Sequence, residues 1–416
     1  MKVFKFGGAS VKSADTVRNL GNILNGYHEN LVVVISAMGK TTDLLEILVK
    51  AYFEKSKQKW MIFGQFKNFH TGICEQLFGT GQTPFHVLEQ YEELEEKLNK
   101  APSLDYNFEY DQIVPFGELV STRIVSDHLN ASGKPNQWID VRTCIRTDDL
   151  YRDASVDWEL TGKLCKETFT FKGNSLYVTQ GFIGSTPANI TTTLGREGSD
   201  FTAAIIGNIL NAESVSFWKD VPGVLSGDPK KMKDTTKIDA LSYREAVEMT
   251  HSGAKIIHPK TMKPLHNKGI SLYVKSFLSP EDTGTIIHEI VHKIQLPPIF
   301  IFRENLVLIT LSAKDFSFIS IEDIDRVVNF LIENRVKVTL MQQSAIDLNL
   351  VLDAGEADWD WLLHELSPFY TIRYNTGLTL ITIRHYTEEV LDRLVKEKDI
   401  YLEQHSRLTA RMLVKE

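Results

Sequence analysis

The residues best suited to chemistry lie in short words that could grip anions. The first is Lys5-Phe6-Gly7-Gly8-Ala9-Ser10, directly after the apolar start Met1–Phe4. A strand running into two glycines and a hydroxyl residue brings bare backbone N–H groups close to a phosphate, and Lys5 adds a mobile positive charge at the mouth. The same spelling also serves as a plain tight turn. The second word is Thr193-Leu194-Gly195-Arg196-Glu197-Gly198-Ser199-Asp200, leading into an apolar run from Phe201. A Gly-rich loop feeding a helix offers an anion site at the helix N-terminus. Arg196 can hold a carboxylate or phosphate through two parallel hydrogen bonds. Asp200 either orients a lysine or a metal ion, or caps the helix.

Three further words add charge near turns. In Val114-Pro115-Phe116-Gly117-Glu118, the carboxylate of Glu118 either answers a helix dipole or receives a substrate ammonium. In Trp218-Lys219-Asp220-Val221-Pro222-Gly223, followed by Gly227-Asp228-Pro229-Lys230, a strand ends in two turns with Lys219 and Lys230 beside them. In Ser252-Gly253-Ala254-Lys255-Ile256, small residues permit close approach of a ligand to Lys255. His251, His258 and His266 lack the spacing of a zinc helix and read as structural. Gly39-Lys40-Thr41 copies the end of a P-loop, but Val34 stands where the first glycine of that motif belongs. Thr42 either faces a ligand or caps a helix starting at Asp43.

These words need a scaffold, and the hydrophobic pattern supplies one. Over the first ~290 residues, strand-like runs alternate with amphipathic stretches, as in βαβ units. Leu31–Ile35 is a continuous apolar run, the mark of a parallel strand buried on both faces. Shorter strands are expected at Asn136–Val141, Ser175–Gln180, Ser214–Trp218 and Ile270–Lys275. Residues 52–100 read as a polar helical insertion. Gln295-Leu296-Pro297-Pro298 marks a boundary, and beyond it the chain repeats itself: Leu306–Leu311 is echoed by Leu378–Ile383. The 416 residues allow two to three domains. A net charge of −8 argues against nucleic acid as the main partner, so an anionic substrate needs a local cationic cluster. Three scattered cysteines without a CxxC word, and no membrane-length apolar run, point to a cytoplasmic protein with no membrane partner.

Taken in order, KFGGAS, SAMGKTTDLL, PFGELVS, TLGREGSDFTAA, WKDVPGVLSGDPK and SGAKIIHPKTM resemble the aspartate kinases of the amino-acid kinase family, across residues 1–290. The C-terminal duplication resembles that family's paired ACT domains. The resemblance implies a three-layer α/β/α kinase domain with a mainly parallel sheet, followed by paired α+β ACT-like units. Expected bounds are 1–294 for the kinase domain, with 52–112 as its helical insertion, then 299–374 and a shortened 375–416 for the two units. It implies transfer of the γ-phosphoryl of ATP to the β-carboxylate of L-aspartate, the first step towards lysine, threonine and methionine. Mg²⁺ would arrive on the ATP, with no protein ligand set assigned. Two alternatives stay open at this point: a relative with another acceptor, or a non-catalytic amino-acid sensor.

By that similarity, Lys5 with the backbone of Gly7, Gly8 and Ser10 would hold the transferred phosphoryl, and Asp200 would orient Lys5. Arg196 would clamp a substrate carboxylate and Glu118 the ammonium, with Thr42 and Ser199 positioning both. Lys219, Asp220, Leu225, Lys230, Lys255 and Ile256 would line the ATP site. The chain departs from the family pattern at four positions in two of these words. Glu197 stands for a usual Gly, Lys219 for Thr or Ser, Leu225 for an aromatic and Lys230 for Arg. A homodimer through the ACT-like units is expected, since exposed edge strands find partners, together with an amino-acid effector.

Overall fold

The β-branched run Leu31–Ile35 forms a strand in which every residue is buried, as the middle of a parallel sheet demands. The computed structural model describes residues 1–290, 295–355, 359–395 and 398–415. Positions 291–294 at the expected end of the kinase domain lie outside the described residues, as do 356–358, 396, 397 and 416 in the expected ACT-like units.

The chain divides into two compact units. The first comprises Met1–Val224, Lys237–Thr250 and Lys255–Lys293. Its strands in chain order are β1 (Lys2–Phe6), β2 (Leu31–Ile35), β3 (Gln137–Ile139), β4 (Leu176–Gln180), β5 (Ile183–Ser185) and β6 (Thr191–Thr193). They continue with β7 (Ser214–Lys219), β8 (Val224–Leu225), β9 (Lys237–Ile238), β10 (Ala240–Ser242), β11 (Ser271–Ser276) and β12 (Thr285–His288). Eight of them form one sheet in the order β10-β12-β11-β7-β1-β2-β4-β3. Every neighbour in it is parallel except β11 and β12.

Register decides where the loops meet. Phe6 lies level with Ile35 on one side and Trp218 on the other, and Ile35 is level with Gln180. Four strands therefore end together, and the chain after each leaves the sheet at the same edge. Ligands of open α/β sheets bind at that carboxyl edge.

Helices follow in the order α1 (Ala14–Asn25), α2 (Thr41–Phe53), α3 (Gln58–Phe78), α4 (Phe85–Asn99), α5 (Tyr106–Ile113), α6 (Phe116–Ala131), α7 (Trp158–Thr168), α8 (Gly198–Ile209), α9 (Tyr243–His251) and α10 (Pro259–His266). The stretch between β2 and β3 is thus helical throughout, and α4 buries Tyr91, Leu94 and Leu98 but leaves Leu88 exposed. Helix α2 begins two residues before Asp43. The Thr41 hydroxyl donates to the Met38 carbonyl at 2.8 Å, and Lys40 takes the N-cap position without a side-chain bond. Thr42 is therefore a residue of the first turn and not a cap. Cys74, Cys144 and Cys165 are buried free thiols.

The second unit comprises Leu225–Thr236, His251–Ala254 and Ile294–Glu416. Its strands β13 (Ile299–Ala313), β14 (Val338–Gln343), β15 (Asp347–Asp353), β16 (Tyr370–Arg384), β17 (Asp399–His405) and β18 (Thr409–Lys415) form one antiparallel sheet, ordered β14-β15-β13-β16-β18-β17. Helices α11 (Ile321–Glu333), α12 (Trp359–Leu366) and α13 (Glu388–Val395) connect them. Both central strands are 15 residues long and serve two neighbourhoods. Leu308–Ala313 pairs with Tyr370–Asn375, while Ile299–Arg303 pairs with Leu380–Arg384. The second α+β half thus takes a strand from upstream of the first. Among the described residues, no helix is long and apolar enough to cross a membrane.

Candidate active site

At the carboxyl edge of the first unit's sheet lies a cleft of about 450 Å³. Lys5, the fourth residue of β1, points into it and pairs with Asp200, Nζ to Oδ1 at 2.6 Å. Asp200 sits in the first turn of α8, whose N-cap is Glu197 and has no side-chain cap bond. The capping alternative for Asp200 is thereby excluded. Lys219, the last residue of β7, brings its Nζ to 3.9 Å from the other Asp200 oxygen and donates to the Ile256 carbonyl at 2.7 Å. Burial opposes the charge on Asp200, but the two lysines outweigh it and hold the carboxyl below its ordinary range.

Glu118 stands in the first turn of α6, 3% exposed. Its Oε1 accepts the Ala37 N–H at 3.3 Å, and its Oε2 is buried without a hydrogen-bond partner. Burial pushes this carboxyl up to about 8, against the smaller opposing pull of the backbone N–H bonds and Lys5. Two glycines make the packing possible. A Cβ on Gly117 would lie 2.9 Å from that of Ala37, and one on Gly8 would lie 2.7 Å from the Gly39 carbonyl oxygen. The loops after β1 and β2 touch only because position 8 has no side chain.

The cleft gathers Lys5, Thr42, Glu118, Arg196, Ser199, Asp200 and Lys219, all singled out from the sequence. Arg196 is exposed, and no hydrogen bond or ion pair among the described residues engages it. The lining also includes Ser36, Tyr110, Arg152, Phe182, Gly195, Glu197 and Gly198. Of these, Arg152 is a second arginine that sequence reasoning missed. Its guanidinium lies 4.4 Å from the centre of the Tyr110 ring, a cation–π contact. Its backbone N–H donates to buried Asp111 at 3.1 Å, which also accepts from Thr193. No motif surrounds Tyr151-Arg152-Asp153, so nothing in the spelling marked it.

Other expected residues lie outside this lining. The Ser10 hydroxyl donates to the Trp218 carbonyl at 3.1 Å and is buried there. Gly7 and Gly8 form the β1 turn, Asp220 and Lys255 are exposed, and Ile256 contributes its carbonyl to Lys219. Leu225 and Lys230 belong to the second unit, where Lys230 donates its backbone N–H to Asp228 at 2.9 Å. His258 caps α10, its Nδ1 accepting the Lys260 N–H at 3.2 Å, which is a structural role. Among the described residues, no group of three or more His, Cys, Asp or Glu side chains is placed to hold a metal ion.

The chain that carries this cleft is similar to known proteins over most of its length. The model of the amino acid kinase family matches residues 1–276. The lysine-sensitive aspartokinase 3 of Escherichia coli is 31% identical over 92% of this chain and 86% of its own length. The chain spans only 32% of the bifunctional aspartokinase/homoserine dehydrogenase 1 of Zea mays, at 31% identity. The structure of E. coli aspartokinase III with lysine and aspartate has a TM-score of 0.84 at 27% identity, over 100% of this chain and 96% of that one. The same enzyme with aspartate and ADP gives 0.81 over the same shares. The chain belongs to the amino acid kinase family, among its aspartokinases.

Proposed function

We propose that this chain transfers the γ-phosphoryl of ATP to the β-carboxylate of L-aspartate, giving 4-phospho-L-aspartate and ADP. The observation that carries the reading is the Lys5–Asp200 pair at 2.6 Å in a cleft shared with Arg196 and Glu118. A carboxylate oxygen attacks the γ-phosphorus, one P–O bond forms, and the bond to the β–γ bridging oxygen breaks as ADP leaves. No base is required, because a β-carboxylate is already ionised near pH 7. Phosphoryl transfer asks mainly for positioning and for cations around the equatorial oxygens.

The side chains divide the work in this scheme. Asp200 keeps the Lys5 ammonium aimed into the cleft, and Lys5 meets the oxygens of the transferred group. Arg196 holds a substrate carboxylate in a two-point grip. Glu118 receives the substrate ammonium, its unpartnered oxygen being the acceptor left for it. Thr42 and Ser199 orient the substrate, while Lys219 and the Gly7-Gly8 turn face the nucleotide phosphates. Asp220, Lys255 and Ile256 complete the nucleotide side. Mg²⁺ would arrive on the nucleotide, where it would neutralise phosphate charge.

We assign 1–294 to catalysis and 299–374 and 375–416 to two ACT-like units, which take an amino-acid effector and pair with a second copy of the chain. The enzyme works in the cytoplasm, in keeping with its three unpaired thiols. Purified protein with ATP, Mg²⁺ and L-aspartate is expected to release ADP, and hydroxylamine to trap an acyl phosphate. No ADP and no hydroxamate would refute the reading. Added lysine or threonine tests the effector, and light scattering tests the dimer.

A further inference from the structure

Glu197 occupies a position where only a strained backbone fits. Its φ is 55°, in the left-handed region that side chains other than those of Gly, Asn and Asp enter at a cost. A carboxylate added next to Arg196 would be expected to repel an anionic substrate, yet it is committed elsewhere. Its Oε2 accepts the backbone N–H of His258 at 2.8 Å. His258 is the N-cap of α10, so the carboxylate meets the positive end of a helix as well as a donor. Lys260, two residues on, donates its Nζ to the Leu194 carbonyl at 3.2 Å. The loop bearing Arg196 is therefore tied to α10 on both sides of Arg196 itself. The same stretch of chain is gripped from the opposite direction, where Lys219 holds the Ile256 carbonyl at 2.7 Å.

We propose that Glu197 is a positioning residue that fastens the Arg196 loop to residues 256–258, with Lys219 fastening that stretch to β7. Two departures from the family spelling thus act on one piece of backbone, and the arginine grip is set before substrate arrives. The functional part of this inference rests on the aspartate-kinase reading above; the latch itself does not.

The test pairs hydrogen–deuterium exchange at the His258 amide of the free full-length protein with steady-state kinetics. Glu197→Asn tolerates the left-handed backbone but is too short to reach His258. Its His258 amide is expected to exchange about tenfold faster, the loss of roughly one net hydrogen bond. Its KM for L-aspartate should rise several-fold while kcat stays within about twofold, the signature of lost ground-state positioning. Glu197→Gln keeps an acceptor oxygen and should restore most of the protection and most of the KM. Lys219→Thr should loosen the same amide, and the two effects should fall short of adding because they share one segment. Unchanged exchange at His258 in Glu197→Asn overturns the latch. A KM for aspartate that falls in that variant also overturns it, because the carboxylate then acts by repulsion. The exchange measurement uses no substrate, so its failure is distinct from a failure to phosphorylate aspartate.

Discussion

Asp200 and Glu118 are buried in the same cleft, 4% and 3% exposed, yet one is charged and the other holds its proton. Around Asp200, lysine ammonium groups stand at 2.6 and 3.9 Å. Around Glu118 stand backbone N–H groups, that of Ala37 at 3.3 Å among them, Lys5 exerts only a smaller pull, and one carboxyl oxygen has no hydrogen-bond partner. Desolvation pushes both carboxyls upward; only adjacent cations decide the outcome. The difference matches a division of labour. The charge on Asp200 is already committed to aiming Lys5, whereas Glu118 keeps its acceptor in reserve for a cation that comes with the substrate.

Breaking the charged side should have the largest effect. Lys5→Ala leaves a buried carboxylate facing only Lys219, and losing one partner of such a pair costs about 3 kcal/mol or more. The same change removes a cation from the transferred group, so kcat should fall about 10²–10³-fold. Urea unfolding and initial rates read the two losses separately. Wild-type stability in Lys5→Ala would mean that Asp200 does not need its lysine.

The neutral side should respond through pH. Folded Glu118 keeps its proton up to about pH 8, while the unfolded chain releases it near the ordinary 4.5. The native state binds more protons between those values, so this group makes stability fall as pH rises across that window. Asp200 behaves oppositely: its contribution is present above the ordinary 3.8 and is lost only in stronger acid. Glu118→Gln should therefore gain on the wild type in melting temperature from pH 5 to pH 8. Asp111, also raised by burial to about 6, titrates in both proteins and cancels in the difference. Parallel melting curves would show that Glu118 is ionised in the free cleft.

The smallest effect belongs to a residue that both regions leave aside. Ser10→Ala removes only the bond to the Trp218 carbonyl, and should lower unfolding stability by about 1 kcal/mol. A loss in urea several times larger would mean that the hydroxyl holds more than that carbonyl.

What the sequence made legible follows the range of the forces involved. The run Leu31–Ile35 announced a buried strand, because burial on both faces requires apolar residues at every position. Lys5, Arg196 and Asp200 stood out because glycines crowd around anion sites. Glu118 was visible as a charge at a helix start, but its neutrality comes from burial, which the packing of Gly117 against the distant Ala37 side chain makes possible. Arg152 stayed hidden because a loop arginine carries no periodicity; only the Tyr110 ring and buried Asp111 give it a place. The echo of Leu306–Leu311 in Leu378–Ile383 revealed the repeat. It did not reveal that Ile299–Arg303 supplies a strand to the later half, since that pairing runs against chain order. The glycines and Arg196 around Asp200 favoured a functional role over a helix cap, and the position of Glu197 as the N-cap, with Lys5 beside Asp200, separates the two.

The contrast between the two carboxylates is tested most directly by counting protons when L-aspartate binds. Calorimetry at pH 7 in two buffers of different ionisation enthalpy measures that count. Arrival of the substrate ammonium should ionise Glu118, releasing about one proton, and Glu118→Gln should release none. Binding with no proton released by the wild type, or equal release by both proteins, would contradict a Glu118 that waits uncharged opposite an ionised Asp200.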